Sequence, residues 1–424
     1  MSTRPVQLPL DSVPLTKQSI AGGIAATLVV ASVGGLLLFG GSDKGASTTI
    51  TQAATTSTTP SATSTTRPPR PSRITLTLDS TGLLQKAAKG FYRWLGDPDG
   101  VEPPPMAEGL AAFLADVTLE EGFDLAGEFA VASLEEETRV AVVTAEEDVL
   151  LAVDDGDGWR IVGAKLSSLG LEAWYGNPVR FVMIIGTDAR PGFIERVFRG
   201  DSLHIVASNI GEAAGAVVGV PRDTWVEAPY GRMDKLTHIN ALASSEALVD
   251  IVRDLSGLPV EGYVVTGFAS FTNLVDNFGG VVVNVPFAMA DPKSQAFFSA
   301  GEQTLWGANA LAFSRNRSIW GSDFTRSYHQ GLVILGALNK AQAAGILQLP
   351  GLLALLSEYT WTDLSAEDLL TLAAGAFEID PAKVGNRVLP GTIQMIAGAS
   401  VVVLDPEAEE FYRDLDDGIL TPAE

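Results

Sequence analysis

Three short apolar runs constrain this chain most, because each meets a charged Asp/Arg segment at one end. FVMII (181–185) leads into Asp188 and Arg190, LHIVA (203–207) follows Asp201, and AVVGV (216–220) leads into Arg222 and Asp223. Runs of this length, bounded by turn-forming polar residues, suit buried strands. Further strands are expected at 263–266 and 281–285, the latter stopped by Pro286. Between them lie helical patterns at 239–255, 268–278, 306–315 and 322–343; the helix at 268–278 is closed by Gly279-Gly280. Residues 177–424 therefore read as α/β, a central mixed sheet covered by helices, with charge gathered at strand ends where such sheets bind ligands.

The charged segments are unusual for their surroundings. The chain has 424 residues and a formal net charge of −23. Residues 181–330 hold 11 Lys and Arg against 15 Asp and Glu, only −4, so the rest of the chain carries −19. Forked guanidinium groups suit phosphate oxygens, and paired carboxylates suit a hard divalent cation. Together they suggest a diphosphate held by arginines with a metal between. The acidic balance and the lack of a basic stripe argue against a nucleic-acid binder. Cysteine is absent, which excludes disulfides and Cys-based zinc sites.

Residues 20–39 are a 20-residue run without a charge, close to the length that crosses a bilayer as a helix. The run is longer than a cleaved signal core and closes on no small-x-small site, which favours a retained anchor over 20–40. Arg4 and Lys17 before it place residues 1–19 in the cytoplasm and the rest outside. Residues 41–73 are a Ser/Thr/Pro-rich linker; 14 of the 20 residues in 47–66 are Ser or Thr. Such a stretch has too little apolar surface to fold and would hold the remainder roughly 30 Å from the bilayer. Residues 74–176 read as a smaller accessory α+β domain. A strand at 74–79 and a helix at 83–95 precede strands at 128–132, 139–144, 149–153 and 159–162. Asp154, Asp155 and Asp157 imitate half a calcium loop but lack its remaining spacing, so a solvated turn is expected there.

Seven segments occur in a fixed order: GTDAR (186–190), RGDS (199–202), VPRDT (220–224), DKLTH (234–238), LVDNFGGVVVNVP (274–286), ALAFSRNR (310–317) and DFTRSYHQ (323–330). This series resembles the LytR–CpsA–Psr (LCP) family of bacterial cell-wall proteins, strongly over 180–345 and weakly to about 415. The resemblance implies transfer of a glycopolymer from a polyprenyl-diphosphate carrier to peptidoglycan, by a single-pass membrane protein with its catalytic domain outside. It implies that Asp188 and Asp201 hold Mg²⁺ against the diphosphate, and that Arg190, Arg222, Arg315 and Arg317 clamp its oxygens. It also implies a greasy tunnel for the lipid between sheet and helices; the apolar stripes at 268–278, 332–338 and 346–356 serve equally as core.

Spacing adds detail. Arg315 and Arg317 would diverge by about 200° on a regular helix, so the helix must end near Ser314 or unwind for both to reach one phosphate. Arg326 and Gln330 are four apart and share one helical face. Asp323 is a partner for Arg326 or Arg317, and Asp223 for Arg222. Lys235 either adds charge to the phosphate or sits on a loop. His329 stands where the family usually has arginine, and a binding step more dependent on pH is expected from it. The usual Gly-Gly after DKLTH is also missing, and RGDS replaces the commoner Arg-Ser-Asp-Thr. Two other readings remain: a non-catalytic polyprenyl-diphosphate or wall-binding regulator, and a lipid-diphosphate pyrophosphatase.

Overall fold

The computed structural model describes residues 82–117, 124–190, 197–317 and 323–420, together with the backbone of Arg73–Leu76. The apolar run at 20–40 and the Ser/Thr-rich linker lie outside the described residues. Among the described residues no single helix is long and apolar enough to cross a membrane.

The first sheet orders its strands as in the chain: β1 (Arg73–Leu76), β2 (Asp124–Ser133), β3 (Arg139–Ala145), β4 (Asp148–Asp154) and β5 (Arg160–Lys165). β1 pairs parallel to β2 and the rest are antiparallel. Two helices accompany it, α1 (Leu83–Gly96) and α2 (Glu108–Phe113), the second not evident in the sequence. Strand alternation sorts the side chains into two cores. Ala141, Val143, Leu150 and Ala152 face α1, with Phe91 and Leu95. Val140, Val142, Leu151 and Val153 form the opposite core, with leucines from residues 349–374. Being covered on both sides, β4 reads as a continuous apolar run, VLLAV. Asp154 accepts from Gly156 and Gly158 N–H at 3.0 and 3.1 Å and pairs with Arg139, so the Asp-rich segment is a capped turn.

From residue 179 the chain builds the second sheet. Its first three strands are β6 (Val179–Thr187), β7 (Gly200–Asn209) and β8 (Ala214–Gly219). A ribbon, β9 (Trp225–Ala228) and β10 (Arg232–Lys235), leads to α3 (Leu236–Leu242) and α4 (Ser245–Ser256). β11 (Val260–Thr266) and α5 (Phe268–Asn277) follow. Then come β12 (Val281–Val285), β13 (Met289–Asp291), β14 (Ala296–Phe298) and β15 (Gly301–Leu305). The remainder is α6 (Gly307–Arg315), α7 (Asp323–Ala344), α8 (Leu349–Tyr359), β16 (Trp361–Thr362), α9 (Ala366–Gly375), β17 (Val384–Val388), β18 (Gly391–Ile396), β19 (Ala399–Leu404) and α10 (Glu407–Asp414).

The central sheet runs β16-β11-β6-β7-β8-β17. β11 is parallel to β6 and β17 to β8; the other pairs are antiparallel, so the sheet is mixed. Phe181, Met183 and Ile185 point to α3 and α4. The opposite face, with Val206 and Val217, packs on Ile334, Leu335 and Leu338 of α7. The expected single helix at 239–255 is instead two. Ser244 breaks it, taking extended geometry and capping Ala247 N–H at 3.1 Å, so its side chain satisfies a new helix start. The boundary expected at 176/177 is bridged by packing: α8 and α9 close the second core of the first sheet, so the described residues on its two sides belong to one compact unit.

Candidate functional site

The site begins with a register fault. β6 and β7 pair Gly186 with Ser202 and then Thr187 with Gly200, which leaves Asp201 unopposed. One extra residue in a strand bends it and re-aims a side chain. Asp188, next on the β6 side, is fastened across the fault: its Oδ1 accepts from Arg199 N–H at 3.1 Å. A methyl group at Gly186 would lie 2.9 Å from Ser202 Cβ, so only glycine permits this approach.

These strand ends open into a cavity of about 700 Å³. One part is charged, with Asp188, Arg190 and Asp201 from the sheet, Arg315 and Arg317 from the end of α6, and Arg326 from α7. The other is apolar, formed by Ile184, Phe268, Phe271, Leu311, Val333 and Ile334. Helical spacing explains the division. Leu311 lies one turn before Arg315, and Val333 and Ile334 one turn beyond Gln330, so each helix carries the lining from polar to apolar. α6 ends at Arg315, and Asn316 is extended with φ −61° and ψ 128°. The two arginines thus leave the helix at its end, as their spacing requires. Arg315 lies 5.0 Å over the Phe268 ring.

An ion-pair network holds the charged part. Arg222 pairs with Asp201 and, through Nε, approaches Asp323 at 3.5 Å. Arg326 is only 4% exposed; its Nη2 donates to Asp323 at 3.0 Å and to the Asp201 carbonyl at 3.2 Å. Burial pulls the Arg326 guanidinium down to about 10, opposed by Asp323, and it stays cationic at neutral pH. Burial also acts to lower Arg222, but Asp201, Asp323 and Asp223 outweigh it and hold it raised. Asp323 reaches Arg317 at 4.0 Å as well, and Gln330 ties α7 to α6 through Ser314 O at 3.1 Å.

Three expectations change. Asp223 makes its ion pair with Lys235 at 3.1 Å, while Asp201 and Asp323 are the ion-pair partners of Arg222, to which Asp223 adds a smaller attraction. Arg222, Asp223, Lys235 and Asp323 stand behind the lining rather than in it. His329 is fully buried, stacked 4.7 Å from the Phe313 ring and near Phe287, away from the cavity. Burial lowers it to about 4, so it is neutral at physiological pH and gives the site no titrating charge there. Asp291, Lys293 and Ser294 line the cavity and were missed. Their signal was the turn Asp291-Pro-Lys-Ser294, in which Asp291 accepts from Ser294 Oγ at 2.7 Å and Lys293 N–H at 3.0 Å.

Among the described residues no cluster of three metal-binding side chains occurs. Asp188 and Asp201 each engage one oxygen, Oδ1, and among the described residues their Oδ2 atoms have no protein partner. Two carboxylates with free oxygens in one cavity fit a hard cation such as Mg²⁺, which takes one or two carboxylates and completes its shell with phosphate and water.

The LytR_cpsA_psr family profile matches residues 175–416, more than half of the chain. A Bacillus licheniformis protein named polyisoprenyl-teichoic acid–peptidoglycan teichoic acid transferase TagU is 33% identical over 198 residues, covering 46% of this chain and 63% of that protein. The chain thus spans less than two thirds of that relative's length. The cell wall biosynthesis protein LcpA of Corynebacterium glutamicum is 29% identical over 241 residues, 49% of this chain and 46% of the relative. The crystal structure of B. subtilis TagV shares the fold with a TM-score of 0.50 at 22% identity, covering 58% of this chain and all of that one. With the motifs in order and the profile spanning the whole central sheet, the chain belongs to the LytR–CpsA–Psr family.

Proposed function

We propose that this protein is a phosphotransferase that moves a glycopolymer from a polyprenyl-diphosphate carrier onto peptidoglycan. The observation that carries the reading is the mixed lining of one cavity: five cationic side chains (Arg190, Lys293, Arg315, Arg317 and Arg326) share it with an apolar set that includes Phe268, Phe271, Leu311, Val333 and Ile334. A diphosphate joined to an isoprenoid combines the same two characters. The names of the relatives, which describe transfer of polyisoprenyl-linked teichoic acid to peptidoglycan, support it.

In this reading Arg190, Arg315 and Arg317 hold the diphosphate oxygens, while Arg222 and Arg326, kept in place by Asp201 and Asp323, frame them. The apolar lining takes the first isoprenoid units and excludes water. Mg²⁺ held by Asp188 and Asp201 would neutralise diphosphate charge. A wall-glycan hydroxyl oxygen bonds to the sugar-linked phosphorus as the bridging P–O bond breaks. Polyprenyl phosphate departs with the bonding pair, and the hydroxyl proton is lost. Phosphoryl transfer of this kind needs positioning and charge compensation more than covalent help from the protein. The apolar run at 20–40 would anchor the chain, with the catalytic region outside the cell.

The direct test is transfer of labelled lipid-linked glycan to peptidoglycan by the purified full-length chain. Asp188→Ala and Arg315→Ala should each lower the rate by about 100-fold or more; unchanged transfer by both would sink the mechanism. Released phosphate products without an acceptor would point to hydrolysis instead.

A further inference from the structure

Strand alternation puts Ser202, His204 and Val206 on the α7 face of β7, opposite Leu203 and Ile205. Ser202 lines the cavity, and His204 is fully buried. The imidazole lies between two partners. Its Nε2 is 3.0 Å from the Ser327 carbonyl oxygen of α7, and its Nδ1 is 3.3 Å from Ser202 Oγ. An added methyl at Gly219 would collide with Ser327 Oγ, so α7 sits hard against β8 and the carbonyl has no room to withdraw.

These partners leave one assignment of the hydrogens. A carbonyl only accepts, so Nε2 carries the imidazole hydrogen and donates to Ser327. A neutral imidazole has a single N–H, so Nδ1 is bare and Ser202 Oγ donates to it. The ring is neutral at physiological pH: burial, joined by nearby Arg326 and opposed by the Ser327 bond, lowers it to about 4. The serine hydrogen is therefore committed, and the oxygen turns only lone pairs to the cavity. An ordinary serine hydroxyl rotates to suit a donor or an acceptor; this one has no hydrogen left for a phosphate oxygen. Its neighbour does the reverse. Arg326 Nη2 donates at 3.2 Å to the Asp201 carbonyl, in the peptide group that leads into Ser202. A donor-only guanidinium and an acceptor-only hydroxyl thus adjoin one peptide group in the same cavity.

We propose that Ser202 is a specificity-determining residue that accepts a hydrogen bond from the sugar carried by the diphosphate, and that His204 is the positioning residue that keeps it an acceptor. Ionised phosphate oxygens have no hydrogen to give and are repelled by the serine lone pairs, whereas a sugar hydroxyl or amide N–H supplies one. The sugar is covalently tied to the diphosphate, so clamping the diphosphate holds it within reach of this corner. Ser202 then sets the register of the donor, with phosphate oxygens at the arginines and the sugar at the serine. The assignment deepens the phosphotransferase reading and rests on it for the class of ligand.

The test uses the full-length chain and two soluble donors of equal charge: a short-chain polyprenyl diphosphate carrying N-acetylglucosamine, and the same diphosphate capped by methyl. In calorimetric titration Ser202→Ala should bind the sugar-bearing donor about tenfold more weakly than wild type does, and the methyl-capped one within about twofold. His204→Leu frees the serine hydrogen and should have the same selective effect. The double variant should lose no more than either single one, since the histidine acts through the serine. His204→Gln, whose amide can donate to the Ser327 carbonyl and accept from Ser202, should recover most of the preference. Ser202→Ala, at a half-buried position, decides the question even if His204→Leu does not fold. Equal weakening of both donors by Ser202→Ala would mean that the serine serves the diphosphate or its cation, and would overturn the assignment. Additive losses in the double variant would overturn the role of His204. Normal donor binding by Ser202→Ala with slower transfer would also overturn it, by moving the contact to the attacking hydroxyl. Selective binding without any glycopolymer transfer would keep the assignment and remove the transferase reading.

Discussion

Replacing His329 by leucine tests whether burial, rather than the site, governs that residue. Among the described residues its two ring nitrogens have no hydrogen-bond partner, and its neighbours are Phe313, Phe287 and Tyr328. Burial lowers it from the ordinary 6.5 to about 4. In the unfolded chain the imidazole gains a proton as pH falls through 6.5, whereas in the folded chain it resists until about 4. The unfolded state therefore binds more protons between those values, and stability falls with pH there. Integrating the difference from pH 7 to pH 5 gives a loss of about 2 kcal/mol from this one group. His204, also fully buried and lowered to about 4, loses a similar amount, and it is present in both proteins.

His329→Leu should consequently gain on wild type as the solution is acidified. Urea unfolding at pH 7, 6 and 5 would measure it, with the gap widening by about 2 kcal/mol over that range. The gap at pH 7 depends on how leucine fits against the Phe313 ring; its growth with acidity does not. A gap constant to about 0.5 kcal/mol would refute the burial argument. The donor affinity of both proteins should share one pH profile, since His329 does not line the cavity.

Arg326→Leu leaves Asp323 with one near cation fewer and removes a 3.0 Å buried contact; urea titration should show a loss of about 3 kcal/mol. Gly336 faces β12 so closely that an added methyl would lie 2.5 Å from the Val282 carbonyl. Gly336→Ala should cost about 2 kcal/mol despite better helix propensity, read as a lower thermal midpoint. Ser365 and Asp368 form a capping box at the start of α9, so Ser365→Ala should cost about 1 kcal/mol by the same measurement.

The sheet was legible where burial is local. The runs at 181–185, 203–207 and 216–220 became β6, β7 and β8 with longer ends, because backbone pairing extends past the apolar residues that mark a strand. The charged ends were legible too, since no core can take them unpaired. The bulge at Asp201 was not legible, because it is a relation between two strands rather than a pattern in either. Asp291–Ser294 escaped for a similar reason: its turn is visible, but its place beside Arg317 depends on the packing of β13 and α6. The break before α4 had a signal, Ser244 followed by Glu246 and Ala247, which the apolar periodicity on either side concealed. His329 looked like a site residue from its motif, and only the tertiary arrival of Phe287 and Phe313 makes it core.

The arginines that the motifs present as one group divide by what opposes them. Arg222 and Arg326 are largely buried, and their charge is met by Asp201 and Asp323. Releasing them to a ligand would strand those carboxylates, so their main work is to fix the frame. Arg190 and Arg315 have no carboxylate partner among the described residues, and Arg317 meets Asp323 only at 4.0 Å. Across the lining, five cations (Arg190, Lys293, Arg315, Arg317 and Arg326) stand against Asp188, Asp201 and Asp291, an excess of two positive charges. A cavity in an acidic protein that keeps such an excess is compensated by an anion of matching charge, and a cation on Asp188 and Asp201 would enlarge the demand. Frame and clamp should therefore separate experimentally: Arg315→Ala acts on donor binding with little change in unfolding, whereas Arg326→Leu lowers both.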